Sequence, residues 1–365
     1  MRRLRILTFI AVILSFIVYK MKNREAETVP AGEGLLPDRS WMIANKSPQT
    51  PVKDIRPPDQ TFLTYPEWFL VFSPSEQADY FKTHTSTSFP YMKHHHQLWE
   101  SYAVIYDQIK DNYKFNTGYH VMIMVLGIST TVEYSVKSFY ETIAGRITDT
   151  PSGNQMTAED QFNAAYLKSY VNFIEDTPWY MYDFKGQLKN LWTTTSWSGP
   201  HFLRKLERRY YLSTELMIKG GYGWLIGLAT KSAYDEALLN TAVVLNKLPD
   251  APSEIPELKN IKQLSDSAVL VDLPRYADFK DAVSKLAKYN VSFQEIAGNR
   301  GAIMLTVIRA KPLQSDANLK VLFSQPIVTK PGLKRIALVT TVPNLINSVQ
   351  KLLNDKVTIE HIYDF

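Results

Sequence analysis

Three hundred and sixty-five residues, 45% hydrophobic and 21% charged, suffice to bury real cores and exclude a chain disordered throughout. Forty-one Lys and Arg against thirty-six Asp and Glu leave +5, scattered rather than gathered into a basic stripe, so no nucleic-acid partner is expected. With no cysteine, disulfides, thiolate zinc sites, iron–sulfur clusters, a cysteine nucleophile and a lipidated-cysteine anchor are excluded.

Residues 6–19 run fourteen positions without a charge, and 4–21 can span a bilayer if Arg5 and Lys20 extend their stems toward the headgroups. Lys20, Met21 and Lys22 follow at once, where a cleaved secretory signal would carry small residues. The segment therefore reads as an uncleaved transmembrane anchor and membrane lipid as a partner. Arg2, Arg3 and Arg5 before it balance Lys20, Lys22 and Arg24 after it. The free α-amino group tips the orientation toward a cytoplasmic N-terminus, with the bulk of the chain on the non-cytoplasmic side. Six prolines and no apolar period make 25–60 a proline-rich tether.

A mainly helical domain is expected over 61–248, associated with the membrane surface or packed as a bundle. Tyr65-Pro66-Glu67-Trp68 reads as a loop that docks a partner or covers the core, and Ser73-Pro74-Ser75-Glu76 as a helix N-terminus. Leu98, Tyr102, Ile105 and Ile109 mark a second helix. A third is expected over 118–146, with Glu133, Lys137 and Glu141 along one face. Thr157 and Asp160 open a fourth, stopped before Pro178. The aromatic stretch 179–197 suits a loop at a bilayer interface or one packed in a soluble domain. A long helix follows Pro200 and ends in the uncharged stretch from Gly220 to Thr230.

Pro249, Pro252 and Pro256 mark a linker over 249–264. Behind it the apolar period changes to two. Strands are expected at 268–273, 291–297, 302–309, 319–324, 335–342 and 357–363, with helices on Phe279, Ala282, Val283, Leu286 and on Leu345, Ile346, Val349, Leu352. The strands at 291–297 and 302–309 are read as a hairpin turned by residues 298–301. The fold class is thus α+β: an N-terminal transmembrane helix, a mainly helical middle domain, and over 265–365 a ferredoxin-like α+β sandwich with an inserted hairpin.

Three adjacent histidines, His94, His95 and His96, point about 100° apart on a helix and cannot share one ion, so they read as a solvated helix start with His95 nearest the apolar stripe. His84 is their one loop partner to weigh, and no metal is expected. His120 and Glu133 flank the apolar half of the third helix, about 20 Å apart by helical rise. They become functional candidates if that helix meets lipid. Glu207 and Arg208, with Arg209, read as an anion clamp or a structural ion-pair cluster. Glu215 and Lys219 form an i, i+4 pair, and Gly223 and Gly227 a GxxxG for close helix packing. Glu360 and His361 fall on opposite faces of the last strand, His361 with Val357, Ile359 and Tyr363 in the core.

Neither a nucleophile elbow nor a paired-carboxylate, kinase or nucleotide-loop signature is present, so no cofactor is expected and catalysis stays open. The expectation is a membrane-anchored binding or assembly protein whose C-terminal module receives a protein partner or ligand. One alternative is an enzyme acting on a membrane or envelope substrate through His120, Glu133, Glu207 or Glu215. The other is a small integral membrane protein with a transport-accessory role, its helices near 118–146 and 206–231 spanning.

Overall fold

Helix α1 (Gln60–Tyr80) begins well before Ser73-Pro74 and carries Pro66 and Pro74 inside it. Tyr65-Pro66-Glu67-Trp68 is therefore helix rather than loop. An interior proline costs about 3 kcal/mol, but Phe62, Leu63, Tyr65, Trp68, Phe69 and Phe72 are all buried here, at roughly 1.5–3 kcal/mol each. Ser73 caps nothing: its hydroxyl bonds that of Tyr134. The chain continues through α2 (Tyr91–Ile109) and α3 (Thr117–Tyr140), which a π-helical turn (Glu141–Gly145) joins to the short α4 (Arg146–Asp149). A reciprocal cap between Thr157 and Asp160 opens α5 (Ala158–Ile174) as the sequence predicts. The expected aromatic loop instead contains α6 (Phe184–Thr194), capped by Asp183. Helix α7 (Phe202–Ala233) runs on through the glycines.

The computed structural model describes residues 39–42, 45–196, 198–233, 239–289 and 291–365. The anchor expected at 4–21 and the first part of the tether lie outside them. Among the described residues no helix is long and apolar enough to cross a membrane.

The C-terminal region is two four-stranded antiparallel sheets. The first holds β1 (Asn240–Leu245), β2 (Lys259–Ser265), β3 (Ala268–Pro274) and β4 (Phe293–Ile296), with α8 (Ala277–Leu286) between β3 and β4. The second holds β5 (Ala302–Arg309), β6 (Lys320–Pro326), β7 (Lys334–Thr341) and β8 (Thr358–Ile362), with α9 (Leu345–Asn354) between β7 and β8. Their spatial orders, β2-β3-β1-β4 and β6-β7-β5-β8, are the same βββαβ topology twice. The sequence carries the repeat at a spacing of 66: Val283 and Val349, Lys285 and Lys351, Leu286 and Leu352, Val291 and Val357, Ile296 and Ile362. Even an ion pair recurs, Lys285 with Glu257 before β2 and Lys351 with Asp316 before β6.

This replaces the single ferredoxin-like sheet. β4 and β5 form no hairpin with each other: after a turn with Ala297 and Gly298 at positive φ, the chain leaves β1's partner strand and enters the other sheet. The expected linker 249–264 lies inside the first sheet, because β1 precedes it and β2 occupies its end. A bulge opposite Thr306 and Val307 lets Glu360 stand unpaired in β8. Ile359 then joins the core around α8 and α9, whereas His361 stacks on Trp68 of α1 at 3.9 Å. The two residues expected on one face are thus on opposite faces.

One core, built from α8, α9 and the inner faces of both sheets, includes Ile303, Leu305 and Val307 of β5. Alternate residues Ala302 and Met304 face the other way and pack with Phe62, Leu63 and Trp68 of α1. Thr61 stitches the layers, donating to the Tyr363 carbonyl at 3.2 Å and accepting from the Met304 amide at 3.0 Å. The described part of the tether is a strap rather than a free linker. Gln49 and Thr50 donate backbone amides to the buried Glu295 carboxylate at 2.9 Å, and Asn45 adds its side-chain amide.

Candidate functional site

Ion pairs bridge helices α3 and α7, and their polarity is turned inside out. On α3 the exposed positions include Val121, Val125, Val132, Val136 and Phe139, the last 70% exposed. On α7 they include Leu203, Leu206, Tyr210, Met217, Ile218, Tyr222 and Trp224, with Leu203 69% and Trp224 67% exposed. A helix in water puts its charges outside. Here Arg204, Arg208, Arg209, Lys137 and Glu141 are buried.

Four of the inward groups close a square. Lys137 Nζ lies 2.9 Å from Glu133 and 3.0 Å from Glu215, and Lys219 Nζ lies 2.9 Å from Glu215 and 3.4 Å from Glu133. Burial alone would lower both lysines, yet the two carboxylates outweigh it and hold them well above the ordinary lysine value. Burial would likewise raise Glu133 and Glu215, and the lysines hold them below the ordinary value instead. Toward the N-terminus of α7, Arg208 binds Glu141 with both terminal nitrogens, at 2.7 and 3.1 Å, and Glu207 through Nε at 2.6 Å. Arg204 pairs with Asp160 at 2.8 Å and Arg209 with Glu159 at 2.9 Å. The π-helical turn brings Glu141 under Arg208.

The sequence candidates thus fall into three places. Glu133, Glu215 and Lys219 meet in the square, joined by Lys137. Glu207 and Arg208 belong to the neighbouring cluster. His120 stands apart, its Nδ1 2.8 Å from the Tyr102 hydroxyl and its ring stacked on Phe115 at 4.3 Å. Each of these carboxylates is paired with a lysine or an arginine. Gly223 does allow a close approach, but to the Tyr180 backbone: a Cβ there would lie 3.1 Å from the Tyr180 oxygen. Gly227 stands 3.8 Å from the Tyr180 ring by the same measure.

His94 and His95 are buried, contrary to a solvated helix start, because Phe69 and Tyr134 pack on both rings. His96 remains outside, 3.0 Å from Glu100, and His84 stacks on Tyr80. Among the described residues no group of three His, Cys, Asp or Glu is placed to hold a metal.

A second feature has no single motif behind it. A cavity of about 520 Å³ opens where α1, α3, the end of α5 and the β3–α8 junction meet. Glu67, Tyr119, Arg275 and Tyr276 line it, together with Arg56 of the strap. The Tyr119 hydroxyl donates to Glu67, and burial pushes that carboxyl above its ordinary value. Arg275 pairs with Asp364 at 2.8 Å. Tyr276 holds φ at 62°, uncommon for a bulky residue, and stacks on Trp68. Glu67 and Trp68 stood out in the sequence, whereas Arg56, Tyr119, Arg275 and Tyr276 come from separate segments that only the tertiary fold assembles.

No family model, curated protein or solved structure matches this chain.

Proposed function

We propose that the protein is a membrane-anchored binding or assembly protein whose helical region lies on the bilayer through the outer faces of α3 and α7. The inverted polarity of this helix pair carries the reading: apolar side chains face out and charges are paired within. Lipid is the occupant that fits. The uncharged run at 6–19 would bring the chain to a bilayer, and Tyr210, Tyr222 and Trp224 are residue types that favour its interface. The outer faces are apolar while neither helix as a whole is apolar enough to span, which suits a helix pair lying in the interfacial plane. In this reading the anchor is the 4–21 segment, the folded part is on the non-cytoplasmic side, and the sheets stand away from the lipid to receive a partner or ligand.

The cysteine-free background allows a direct test with a membrane-impermeant maleimide on the full chain in proteoliposomes. Val132→Cys is expected to react at least tenfold more slowly than Lys262→Cys on the exposed strand β2. Equal rates would remove lipid from this face. Protection that persists without lipid and rises with protein concentration would place a second chain there instead.

A further inference from the structure

The cavity between α1 and α3 is left unused by membrane docking alone, and its chemistry changes along its length. On α1 its wall runs from Gln60, Thr64 and Glu67 to Leu70 and Val71, about 10 Å of helical rise from Thr64 to Val71. On α3 it runs from the Tyr119 hydroxyl to Met122, one turn further. Ile174 and Trp179 extend the apolar part. The polar part holds two guanidinium groups, with the Glu67 carboxyl on the same wall and the Asp364 carboxylate against Arg275. Arg56 and Arg275 hold their guanidinium carbons 5.0 and 4.8 Å from the Phe365 ring. Arg275 is engaged by Asp364, and Arg56 has its proton affinity lowered by burial and then by the neighbouring Arg275 charge, which Asp364 offsets only in part. Two like charges gathered about one aromatic ring and partly out of water are costly, and an anion beside them relieves that cost. Asp176 also lines the cavity, but it is exposed and therefore screened by solvent. The strained Tyr276 at this wall is a second mark of a built site, since backbone outliers of this kind cluster where ligands are held.

The apolar part borders the proposed bilayer face. Met122 adjoins Val121 of the outward stripe of α3, and Trp179 stacks on Tyr222 of α7 at 5.5 Å. The volume lies within the roughly 300–1,000 Å³ that small-molecule sites occupy.

We propose that this cavity binds a single-chain anionic amphiphile, with its carboxylate or phosphate between Arg56 and Arg275 and its hydrocarbon against Val71, Met122, Ile174 and Trp179. The assignment deepens the membrane reading, because a helix pair seated on lipid would bring such a molecule to the cavity.

Titration of the full chain, in nanodiscs of saturated zwitterionic lipid, with 9,10-dibromostearate tests it by bromine quenching of tryptophan fluorescence. Saturable quenching at one molecule per chain is expected, reduced in Trp179→Phe to the part that Trp68 on the same cavity wall contributes, and shifted at least tenfold to higher concentration in Arg56→Gln. Val71→Trp, which fills the apolar part and leaves both arginines in place, should weaken binding to the same degree. Lysophosphatidate should compete, as a phosphate source of the same chemistry. Equal competition by lysophosphatidylcholine would overturn the anionic assignment, and displacement by inorganic phosphate alone would overturn the amphiphile. Quenching that stays linear, or a midpoint unmoved by both Arg56→Gln and Val71→Trp, would reduce it to partition into the bilayer. Such a failure with Val132→Cys still shielded removes the cavity assignment only; saturable binding with Val132→Cys reactive removes the docking only.

Discussion

His94 and His361 are almost wholly withdrawn from water, and burial pushes both down to about 3. His95 follows for the same first reason, down to about 4, with the neighbouring His94 charge adding to it. A histidine whose folded value lies below its unfolded value of about 6.5 stabilises the native state fully above pH 6.5 and progressively less as pH falls toward the folded value. Glu215 is depressed too, so its contribution is present above about pH 4.5 and lost below it. The acid limb should therefore begin with the histidines, between pH 6.5 and 5, before the carboxylates take part. Lowering pH from 8 to 5 should cost about 2 kcal/mol for each such histidine. His361→Phe retains a ring to stack on Trp68 and removes the titrating group. Denaturant unfolding of the full chain in micelles at pH 8 and pH 5 is expected to show the pH penalty reduced by about 2 kcal/mol in this variant. An unchanged penalty would mean that His361 is not held neutral by burial. The core placement of His361 was legible from strand alternation, but its partner was not: alternation cannot foresee the bulge at Glu360 that moves Ile359 to the other face.

Helices announce themselves by period and cap, and α3, α5 and α7 were readable on those grounds. Which face meets solvent was not. Glu133, Lys137 and Glu141 at helical spacing describe an ion-pair row whether that row lies in water or against α7, and only the partner helix with Glu215 and Arg208 decides it. The start of α1 was missed for a related reason, since a serine before a proline looks like a cap when the apolar residues before it have no visible partner. Glycines separate in the same way. Gly127 faces Trp99, whose ring is fixed by its indole N–H donating to Thr131 at 3.1 Å; a Cβ there would lie 2.6 Å from the ring. Gly221 meets nothing within 4 Å. Gly127→Ala should cost about 1–3 kcal/mol through overpacking, and Gly221→Ala should gain about 0.5–1 kcal/mol through helix propensity. Unfolding midpoints of the two variants, compared with the parent, check both signs. A Gly127→Ala chain as stable as the parent would show that Trp99 is free to move.

At the scale of the whole molecule, helices and sheets share buried surface rather than meeting at a hinge. The proline-rich stretch at 249–264 pointed to a boundary because its composition is that of a linker, but β1 before it and β2 within it belong to one sheet. β2 is exposed along its entire length, so its sequence carries no apolar alternation to betray a strand. The doubled βββαβ topology was hidden with it, since each unit needs its first two strands to be recognised. The outer face of the second sheet has a further consequence. Met304, Leu322, Phe323, Val339 and Tyr363 are buried there against α1 and its neighbours, and the Arg335 guanidinium reaches Glu76 of α1 at 2.9 Å. At roughly 1.5–3 kcal/mol for each large side chain, exposing that face would cost about 10 kcal/mol, comparable with the entire stability of an ordinary domain. Residues 239–365 expressed alone are therefore expected to self-associate and to bind a hydrophobic dye. Co-expression with 39–233 should return a one-to-one complex in detergent with the dye excluded. Sedimentation and dye fluorescence decide between the cases: a monomeric 239–365 fragment that unfolds cooperatively and binds no dye would mean that the sheets complete their own core and that α1 is an addition to it.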